Sequence, residues 1–342
     1  MEKVLVTGSQ GFIGSYLCSE LLKKGYSVFG MDNYSKYGAV VRAHDTDLNF
    51  SFMKIDLIKD SSVLRSAFEN IDPDYIIHAA ARIGGISYFH KYASDLLLDN
   101  LTMDANVVRS AIGLYANKKL KRFVAMSSSM VYENTNVYPT TEASLATTPP
   151  PSSTYGFSKL ALEYQCKGAW EQYKLPYTIC RPFNCVGIGE EEALGEKAAM
   201  VGNIKMLMSH VLPDLIYKAL HLNSNDKMPI LGDGDQVRHY TNGKDLATGI
   251  IAAMESENGL CNDFNLSSPV ATTVKELAEI VWRQIHGTPL QLQHHDPFTY
   301  DVQIRSPDVT KAKDLLGFET KSSLEESVSE VIDWMRKQHD IK

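Results

Sequence analysis

Two side chains four residues apart could remove a proton from a hydroxyl group. Tyr155 and Lys159 stand in 155-YGFSK-159, at the start of a segment with helical period, so that they share one helix face. A phenol with an ordinary pKa of about 10 is a weak base at neutral pH, but an adjacent ammonium group stabilises the phenolate. The spacing predicts that Tyr155 accepts a proton from a hydroxyl group of a bound ligand. In an isolated match, a core-facing tyrosine and a solvated lysine are the commoner case.

Three serines end a strand-like segment, 122-RFVAMSS-128, and could act on the same proton. Ligands of open parallel sheets bind at the carboxyl ends of the strands, where Ser127, Ser128 and Ser129 are expected. A hydroxyl group there can share or relay the proton that Tyr155 takes. Serines at strand ends are also ordinary turn formers.

A glycine-rich turn, 8-GSQGFIG-14, follows the first strand-like segment and precedes a helical one. Gly8, Gly11 and Gly14 would let the backbone approach a pyrophosphate, whose charge the start of the helix stabilises. The second strand ends at Asp32, near the spacing expected for a ribose-binding carboxylate. Because this carboxylate would repel a 2′-phosphate, the pattern favours NAD over NADP. The alternative is a glycine turn with Asp32 as a loop cap.

Small residues also crowd the stretch 78-HAAARIGGISYF-89, where an apolar segment ends. Such residues at a strand end let a ligand lie against the main chain, although an ordinary turn is the plainer interpretation. The small residues are Ala79, Ala80, Ala81, Gly84 and Gly85.

The elements that would position these residues alternate between strand and helix up to Arg181. This alternation predicts an α/β fold with a parallel sheet between two helical layers, the doubly wound Rossmann type. Beyond it the pattern becomes irregular, which indicates a smaller, mixed α/β substrate-binding lobe. We therefore expect a cofactor domain over residues 1–183, with the catalytic residues, and a lobe over 184–342 interleaved with it. The strand-like segments begin at residues 3, 26, 50, 75, 122 and 177, and the helical ones cover 12–24, 94–119 and 158–173.

Composition excludes several classes of partner. The 342 residues carry a formal net charge of −7 and no basic run, which argues against nucleic acid and anionic membranes. Five scattered cysteines suit reduced thiols, and the start has no leader, so we expect a cytoplasmic protein. The cluster 294-HHD-296 lacks a third spaced ligand, and no metal is assigned.

Taken together, these motifs resemble the extended short-chain dehydrogenases/reductases of the NAD-dependent nucleotide-sugar epimerase/dehydratase family. The resemblance covers nearly the whole chain. It rests on 8-GSQGFIG-14, Asp32, 56-DL-57, 78-HAAA-81, Asn100, 127-SSSMVY-132, 155-YGFSK-159, 181-RPFN-184 and 232-GDGDQVRHY-240.

Residue roles carry over from the family by position, with Ser128, Tyr155 and Lys159 as the catalytic group. The resemblance also implies a homodimer through the helical segments 94–119 and 154–173. The implied NAD contacts are Gly8, Gly11, Phe12, Ile13, Gly14, Asp32, Asn33, Asp56, Leu57, Ala79, Ala80, Ala81, Asn100, Ser127, Tyr155, Lys159 and Pro182. The implied substrate contacts are Gly84, Gly85, Ser128, Ser129, Asn184, His210, Val211, Arg238 and Arg305.

Departures from the family pattern reduce the number of the family's reactions that this chain is expected to catalyse. Related dehydratases carry an Asp–Glu pair where this chain has Ser129 and Met130, and decarboxylases keep a glutamate at the second position. The motifs 83-IGGI-86 and 209-SHVLP-213 are similar to GDP-fucose synthase and GDP-mannose 3,5-epimerase, with His210 at the place of a catalytic acid. The cysteine base of those enzymes falls at Met130, which cannot accept a proton. His210 is equally suited to acid catalysis and to substrate binding.

The remaining expectation is a reaction similar to that of the UDP-galactose 4-epimerases. It is the redox-neutral epimerisation at C4 of a GDP- or UDP-hexose through a 4-keto intermediate. Two alternatives stay open. One is a 3,5-epimerase/4-reductase of the fucose-synthase kind, against which Asp32 counts because such enzymes prefer NADPH. The other is a non-catalytic NAD-binding scaffold, against which the intact catalytic group counts.

Overall fold

The computed structural model describes residues 1–84, 91–117, 120–190, 199–201, 204–206, 210–297 and 302–338. The strands are β1 (Lys3–Thr7), β2 (Ser27–Asp32), β3 (Phe50–Lys54), β4 (Tyr75–His78), β5 (Arg122–Met126), β6 (Tyr177–Pro182), β7 (Cys185–Val186), β8 (Ala199–Val201), β9 (Ile204–Met206), β10 (Met228–Leu231), β11 (Val237–Arg238), β12 (Thr241–Asn242), β13 (Asn262–Leu266), β14 (Thr272–Thr273) and β15 (Leu292–His295). The helices are α1 (Phe12–Lys23), α2 (Ser61–Ile71), α3 (Ala93–Asn117), α4 (Thr154–Tyr173), α5 (Val211–His221), α6 (Gly243–Glu255), α7 (Val274–His286), α8 (Thr310–Leu316) and α9 (Leu324–Gln338).

Seven parallel strands form the central sheet in the order β13-β6-β5-β4-β1-β2-β3. The predicted α/β fold with a doubly wound sheet is therefore confirmed. The chain moves outward from β1 in both directions, to β2 on one side and to β4 on the other. A crevice opens at the carboxyl ends of strands where the order reverses in this way, and ligands bind there.

The apolar strands pack on both faces against helices, as expected for a parallel sheet buried on both sides. All five residues of β5 are buried. On one face, Phe68 of α2, Val107 of α3 and Leu162 of α4 join one core cluster. On the other face, Leu17 of α1 and Ile250 of α6 join a second one. Helices on both faces hold the strand ends, and the residues that follow them, in place.

A third core cluster holds the smaller lobe together. The fully buried Trp282 of α7 packs there with side chains of α5 and α9 and with Ile230 of β10. The lobe also contains short strand pairs, such as β10 with β15.

The strand β13 pairs in parallel with β6 although it lies far beyond residue 183. The prediction from sequence did not identify β13, α2, α6, α8 or α9. The boundary at residue 183 stays a prediction. In the described ranges, no helix has both the length and the apolar character that crossing a membrane requires.

Candidate active site

The glycine turn between β1 and α1 packs so closely on the end of β4 that side chains are excluded. Gly8 has φ of +74°, and a Cβ there would lie 2.8 Å from the backbone nitrogen of Ala80. A Cβ on Gly14 would lie 1.9 Å from the carbonyl oxygen of Gly8. Gly11 N–H donates back to that same oxygen at 3.0 Å. This turn at the start of a helix fits the pyrophosphate of a dinucleotide.

Asp32 ends β2 beside the glycine turn. Its carboxylate accepts backbone hydrogen bonds from Gln10 at 3.1 Å and from Tyr34 at 2.8 Å. Burial raises the pKa of Asp32 above its usual range, and these hydrogen bonds oppose the shift. An oriented, largely desolvated carboxylate fits the ribose hydroxyls of NAD, and the residues of this half of the cleft therefore suit that cofactor.

The end of β4 is held by a chain of buried polar groups that the sequence interpretation did not identify. Thr7 Oγ1 lies 2.7 Å from Nδ1 of His78, and Nε2 of His78 lies 2.9 Å from Asp104 Oδ1. Thr7 Oγ1 also accepts from Ala80 N–H at 3.3 Å. These bonds hold the alanine segment against the glycine turn. His78 therefore has a structural environment in the interior of the sheet.

Asn100 of α3 holds the segment that leads to the glycine pair. Its Oδ1 accepts from Arg82 N–H at 2.7 Å and its Nδ2 donates to the carbonyl oxygen of Arg82 at 3.0 Å. Gly84 is buried and lines the cleft, whereas Gly85 lies outside the described residues. The amide of Asn100 acts here on the protein backbone, so its predicted contact with NAD stays a prediction.

The helix that carries the catalytic pair begins at a defined cap. Ser153 Oγ accepts from Gly156 N–H at 3.0 Å, which starts α4 with Tyr155 in its first turn. The ammonium group of Lys159 donates to the carbonyl oxygen of Met126 at 2.9 Å and lies 6.0 Å from the centre of the Tyr155 ring. The cap and this bond to β5 set the position of the phenol relative to the serine segment.

The electrostatics of the group follow from its burial. Burial raises the pKa of Tyr155, while a hydrogen bond with Ser128 and the charge of Arg305 act in the opposite direction. Burial also lowers the pKa of Lys159. The structure thus brings Ser128, Tyr155 and Lys159 together, and their positions permit the removal of a proton from a bound hydroxyl group.

The three serines differ in their partners. Ser127 Oγ donates to Glu163 of α4 at 2.6 Å, and the fully buried Arg181 binds the same carboxylate through two hydrogen bonds of 2.7 Å. Ser128 caps a short 3-10 helix, Ser129–Tyr132, by accepting from Met130 N–H at 3.2 Å. The hydroxyl group of Ser127 therefore already has a partner within the protein, and the predicted contact of Ser127 with the cofactor would be made by its backbone.

The position that distinguishes the reaction types is apolar. Met130 is only 5% exposed and contributes a thioether, which is a weak acceptor without a proton to give. A nearby carboxylate is that of Glu133, whose Oε2 accepts from Ser153 N–H at 2.9 Å and so supports the cap of α4. Glu133 was not identified from the sequence, although its spacing from the serines places it one 3-10 turn away.

The predicted substrate residues from Asn184 onward line the same cleft. Asn184 has φ of +29°, and its buried Nδ2 has no hydrogen-bond partner among the described residues. Arg238 Nη1 donates to the carbonyl oxygen of Val237 at 2.9 Å. His210 is the N-cap residue of α5, and Val211 is the first residue of that helix. His210 Nδ1 is hydrogen-bonded to Glu190, a residue that the sequence interpretation did not include.

One cavity of about 1470 Å³ joins these two halves. Of the predicted site residues that the structure describes, all except Asn100 line it. A single cleft of this size is larger than the usual ligand pocket and has room for a dinucleotide and a second nucleotide side by side.

Comparisons with known proteins identify the family of the chain. Residues 4–267 match the sequence model of the NAD dependent epimerase/dehydratase family. A UDP-N-acetyl-α-D-glucosaminuronate decarboxylase of Bacillus cytotoxicus is 28% identical, over 98% of both chains. GDP-L-fucose synthase 1 of Arabidopsis thaliana is 25% identical, over 98% of this chain and 93% of that protein. The crystal structure of a UDP-glucose 4-epimerase with UDP-glucose from Thermotoga maritima superposes with a TM-score of 0.82 at 27% identity, covering 98% of this chain and 99% of that one.

Proposed function

The chain belongs to the NAD dependent epimerase/dehydratase family of extended short-chain dehydrogenases/reductases, and we propose that within it the protein inverts C4 of a nucleoside-diphosphate hexose. Membership confirms the predicted family and its cofactor, NAD, and makes the protein an enzyme rather than a scaffold. The observation that carries the finer proposal is the buried Met130 beside an intact group of Ser128, Tyr155 and Lys159.

The protein's part in the reaction is the handling of one proton. Tyr155 Oη, hydrogen-bonded with Ser128, takes the proton of the 4-hydroxyl group. Lys159 contributes a positive charge that favours the phenolate, and its bond to the Met126 carbonyl oxygen fixes its position. Bound NAD supplies the hydride acceptor and donor. The 4-keto sugar turns about its diphosphate between the two transfers, and Tyr155 returns the proton.

The alternatives within the family need groups that this site lacks at the corresponding position. Loss of water from the sugar requires an acid near C6, whereas Ser129 and Met130 form the buried start of the 3-10 helix. A thioether cannot supply that acid, and it cannot replace the glutamate of a decarboxylase. Simple inversion at C4 needs only the proton acceptor and the hydride carrier.

The substrate class follows from the cleft and from the relatives. Asn184, Arg238 and Arg305 line the same cavity as the glycine turn, and their amide and guanidinium donors suit a diphosphate. Among the relatives, the Thermotoga enzyme is named for UDP-glucose and the Arabidopsis protein for GDP-L-fucose synthesis. We propose a GDP- or UDP-hexose as substrate.

The direct test is product analysis with the purified protein. Denaturation and absorbance would show whether NAD(H) is already bound, and nuclear magnetic resonance would follow its incubation with GDP-, UDP- and CDP-hexoses. Inversion at C4 without added nicotinamide, lost in Tyr155→Phe, is the expected result. Folded, NAD-containing protein that leaves the whole panel unchanged would refute C4 epimerisation of these sugars.

A second candidate is the 3,5-epimerase/4-reductase reaction, which the hydrogen-bonded pair of His210 and Glu190 favours because it can carry a proton. This reaction also needs a base at the position of Met130, and because a thioether cannot serve as that base, Met130 counts against the second candidate. This reaction would require added NADPH and a 4-keto substrate, and it would place solvent deuterium at C3 and C5. C4 inversion without either addition separates the two candidates.

We also propose that the protein forms a homodimer through α3 and α4. Leu98 is 59% exposed on α3, and Phe157 and Tyr164 are 43% and 67% exposed on α4, which packs beside it. Large apolar side chains on two neighbouring helices suit a helical interface. Light scattering should give twice the chain mass, and Tyr164→Glu should lower it to that of a monomer.

A further inference from the structure

Glu190 and His210 form a pair of titratable side chains in the cleft, apart from the group around Tyr155. Oε1 of Glu190 is hydrogen-bonded to Nδ1 of His210. The side chain of Glu190 is 3% exposed, whereas that of His210 is 41% exposed, and both residues line the cavity. A buried carboxylate therefore supports an imidazole that is accessible to a ligand.

The hydrogen bond determines which ring nitrogen a ligand can meet. A carboxylate only accepts hydrogen bonds, so Nδ1 of His210 carries the hydrogen that points to Glu190. This leaves Nε2 as the ring nitrogen for a ligand. His210 is also the N-cap residue of α5, whose first turn lines the cavity with Val211 and Leu212.

The backbone before Glu190 is held from the cofactor side of the cleft. Ile188 N–H donates to Tyr16 Oη of α1 at 2.8 Å, and Arg42 Nη1 donates to the carbonyl oxygen of Gly189 at 2.9 Å. Arg42 also donates from Nε and Nη2 to the carbonyl oxygen of Gln10 in the glycine turn, at 3.1 and 3.0 Å. The position of Glu190 is thereby tied to the elements that form the cofactor half.

The two glycines in this segment lie directly against the side chains of Tyr16 and Arg42. Gly187 has φ of +154°, and a Cβ there would lie 2.3 Å from Tyr16 Oη. Gly189 has φ of +90°, and a Cβ there would lie 2.8 Å from Arg42 Nη1. Such close contact leaves the segment little freedom to shift, so that Glu190 presents its carboxylate from a fixed site.

We propose that Glu190 is a positioning residue that orients His210 to bind the diphosphate of the substrate. The inference rests on the proposed function for its ligand class, a nucleoside diphosphate linked to a sugar. His210 binds the diphosphate in its doubly protonated form: Nδ1–H stays on Glu190, and the hydrogen taken up at Nε2 is donated to a phosphate oxygen. Arg238 and Asn184 line the same cavity and supply further donors. The cofactor half thus sets the orientation of a substrate contact in the other lobe.

If Glu190 acted only through its negative charge, its removal would change nucleotide binding in the opposite direction from the one expected for a positioning residue. A carboxylate beside a diphosphate repels it, so that removal of the charge would then strengthen nucleotide binding. If Glu190 orients His210, removal of the carboxylate weakens binding, because the imidazole loses its fixed hydrogen bond. The sign of the change separates the two roles.

Binding of UDP and GDP to the NAD-containing protein, measured by calorimetry, is the test. Glu190→Gln should weaken the better of the two ligands about tenfold, and His210→Gln should do the same. The double variant should be no worse than His210→Gln, since the residues act as a unit. Glu190→Asp, which keeps the charge but shortens the reach, should also weaken binding. Glu69→Gln on the exposed face of α2 is the matched control and should bind as the parent does.

Magnetic resonance of isotope-labelled histidine gives a readout independent of binding and turnover. Without nucleotide, the His210 signal, identified by its absence in His210→Gln, should report a hydrogen on Nδ1. In Glu190→Gln, whose amide can donate or accept, it should report a mixture of both tautomers. Tighter or unchanged nucleotide binding in Glu190→Gln, additive losses in the double variant, or an unchanged tautomer would each overturn the proposal.

The outcomes also separate this inference from the proposed reaction. If no sugar is epimerised while Glu190→Gln still weakens nucleotide binding and alters the tautomer, the reaction is wrong and the positioning role stands. If epimerisation is observed but the Glu190 variants bind nucleotide normally, the positioning role is wrong and the reaction stands.

Discussion

The hydroxyl group of Ser127 donates a 2.6 Å hydrogen bond to the carboxylate of Glu163, one turn of α4 beyond Lys159. This bond connects the end of β5 with the helix that carries Tyr155. Arg181 at the end of β6 completes the connection by binding both carboxylate oxygens. The catalytic strand, the catalytic helix and the next strand are thus joined by one buried network.

Removal of Glu163 should destabilise the protein severely. Glu163→Ala would leave the fully buried Arg181 without one of its carboxylate partners and should lower the free energy of unfolding by about 3–5 kcal/mol. Urea denaturation measures the change. Glu171→Ala, on the exposed part of the same helix, is the control and should stay within about 0.5 kcal/mol of the parent. Equal unfolding midpoints for the two variants would show that the network is dispensable.

Gly14→Ala should abolish cofactor binding, because the new methyl group would lie 1.9 Å from the Gly8 carbonyl oxygen and displace the glycine turn. The variant is expected to purify without NAD(H), as judged by absorbance after denaturation. Gly113→Ala in α3 is the matched control, since a Cβ there meets no atom within 4 Å. It should retain NAD and gain up to about 1 kcal/mol of stability. Full NAD content in Gly14→Ala would contradict the assigned cradle.

Asp32→Asn should remove a loss of stability that the cofactor-free parent shows as pH rises, and it should weaken NAD binding. Burial raises the pKa of Asp32 above 3.8, so the ionised carboxylate destabilises the fold. Below the pKa of Asp32 in the unfolded state, the carboxyl group is protonated in both states and the parent keeps its full stability. As pH rises through the higher pKa of the folded state, the buried carboxyl group ionises and the parent loses stability. Thermal unfolding of both proteins between pH 3 and about pH 7 should show a difference that grows with pH in that window. A difference that shrinks with rising pH would contradict the sign.

Ser128→Ala should shift the pH dependence of turnover toward higher pH. The hydrogen bond with Ser128 lowers the pKa of Tyr155, so its loss makes the phenolate rarer at a given pH. The rate at neutral pH should fall by about 10²-fold, with the acidic limb of the profile displaced upward. In Tyr155→Phe that limb should vanish with the activity. An acidic limb at the parent's position in Ser128→Ala would show that this bond does not tune the phenol.

Local motifs predicted much of the fold and the cleft because each combines a strand end with the residues that follow it. The glycine turn, Asp32 and the Tyr155 helix depend on neighbours in sequence, and the confirmed sheet then brings them together. Glu163, Glu190 and β13 were missed because their roles depend on partners distant in sequence, such as Arg181, His210 and β6. Period and spacing carry no signal for such pairings.

The strand β13 lies far from its partner β6 in the sequence, and this separation affects how the chain folds and how it can be re-engineered. A fragment that ended at residue 183 would leave β6 with an exposed, unpaired edge, so it would be prone to aggregate. The high contact order of the β6–β13 pairing also means that the cofactor domain closes only after residue 266 has been synthesised. Chimaeras that exchange substrate preference should therefore replace segments on either side of α6 and β13, and keep these two with the parent's own sheet.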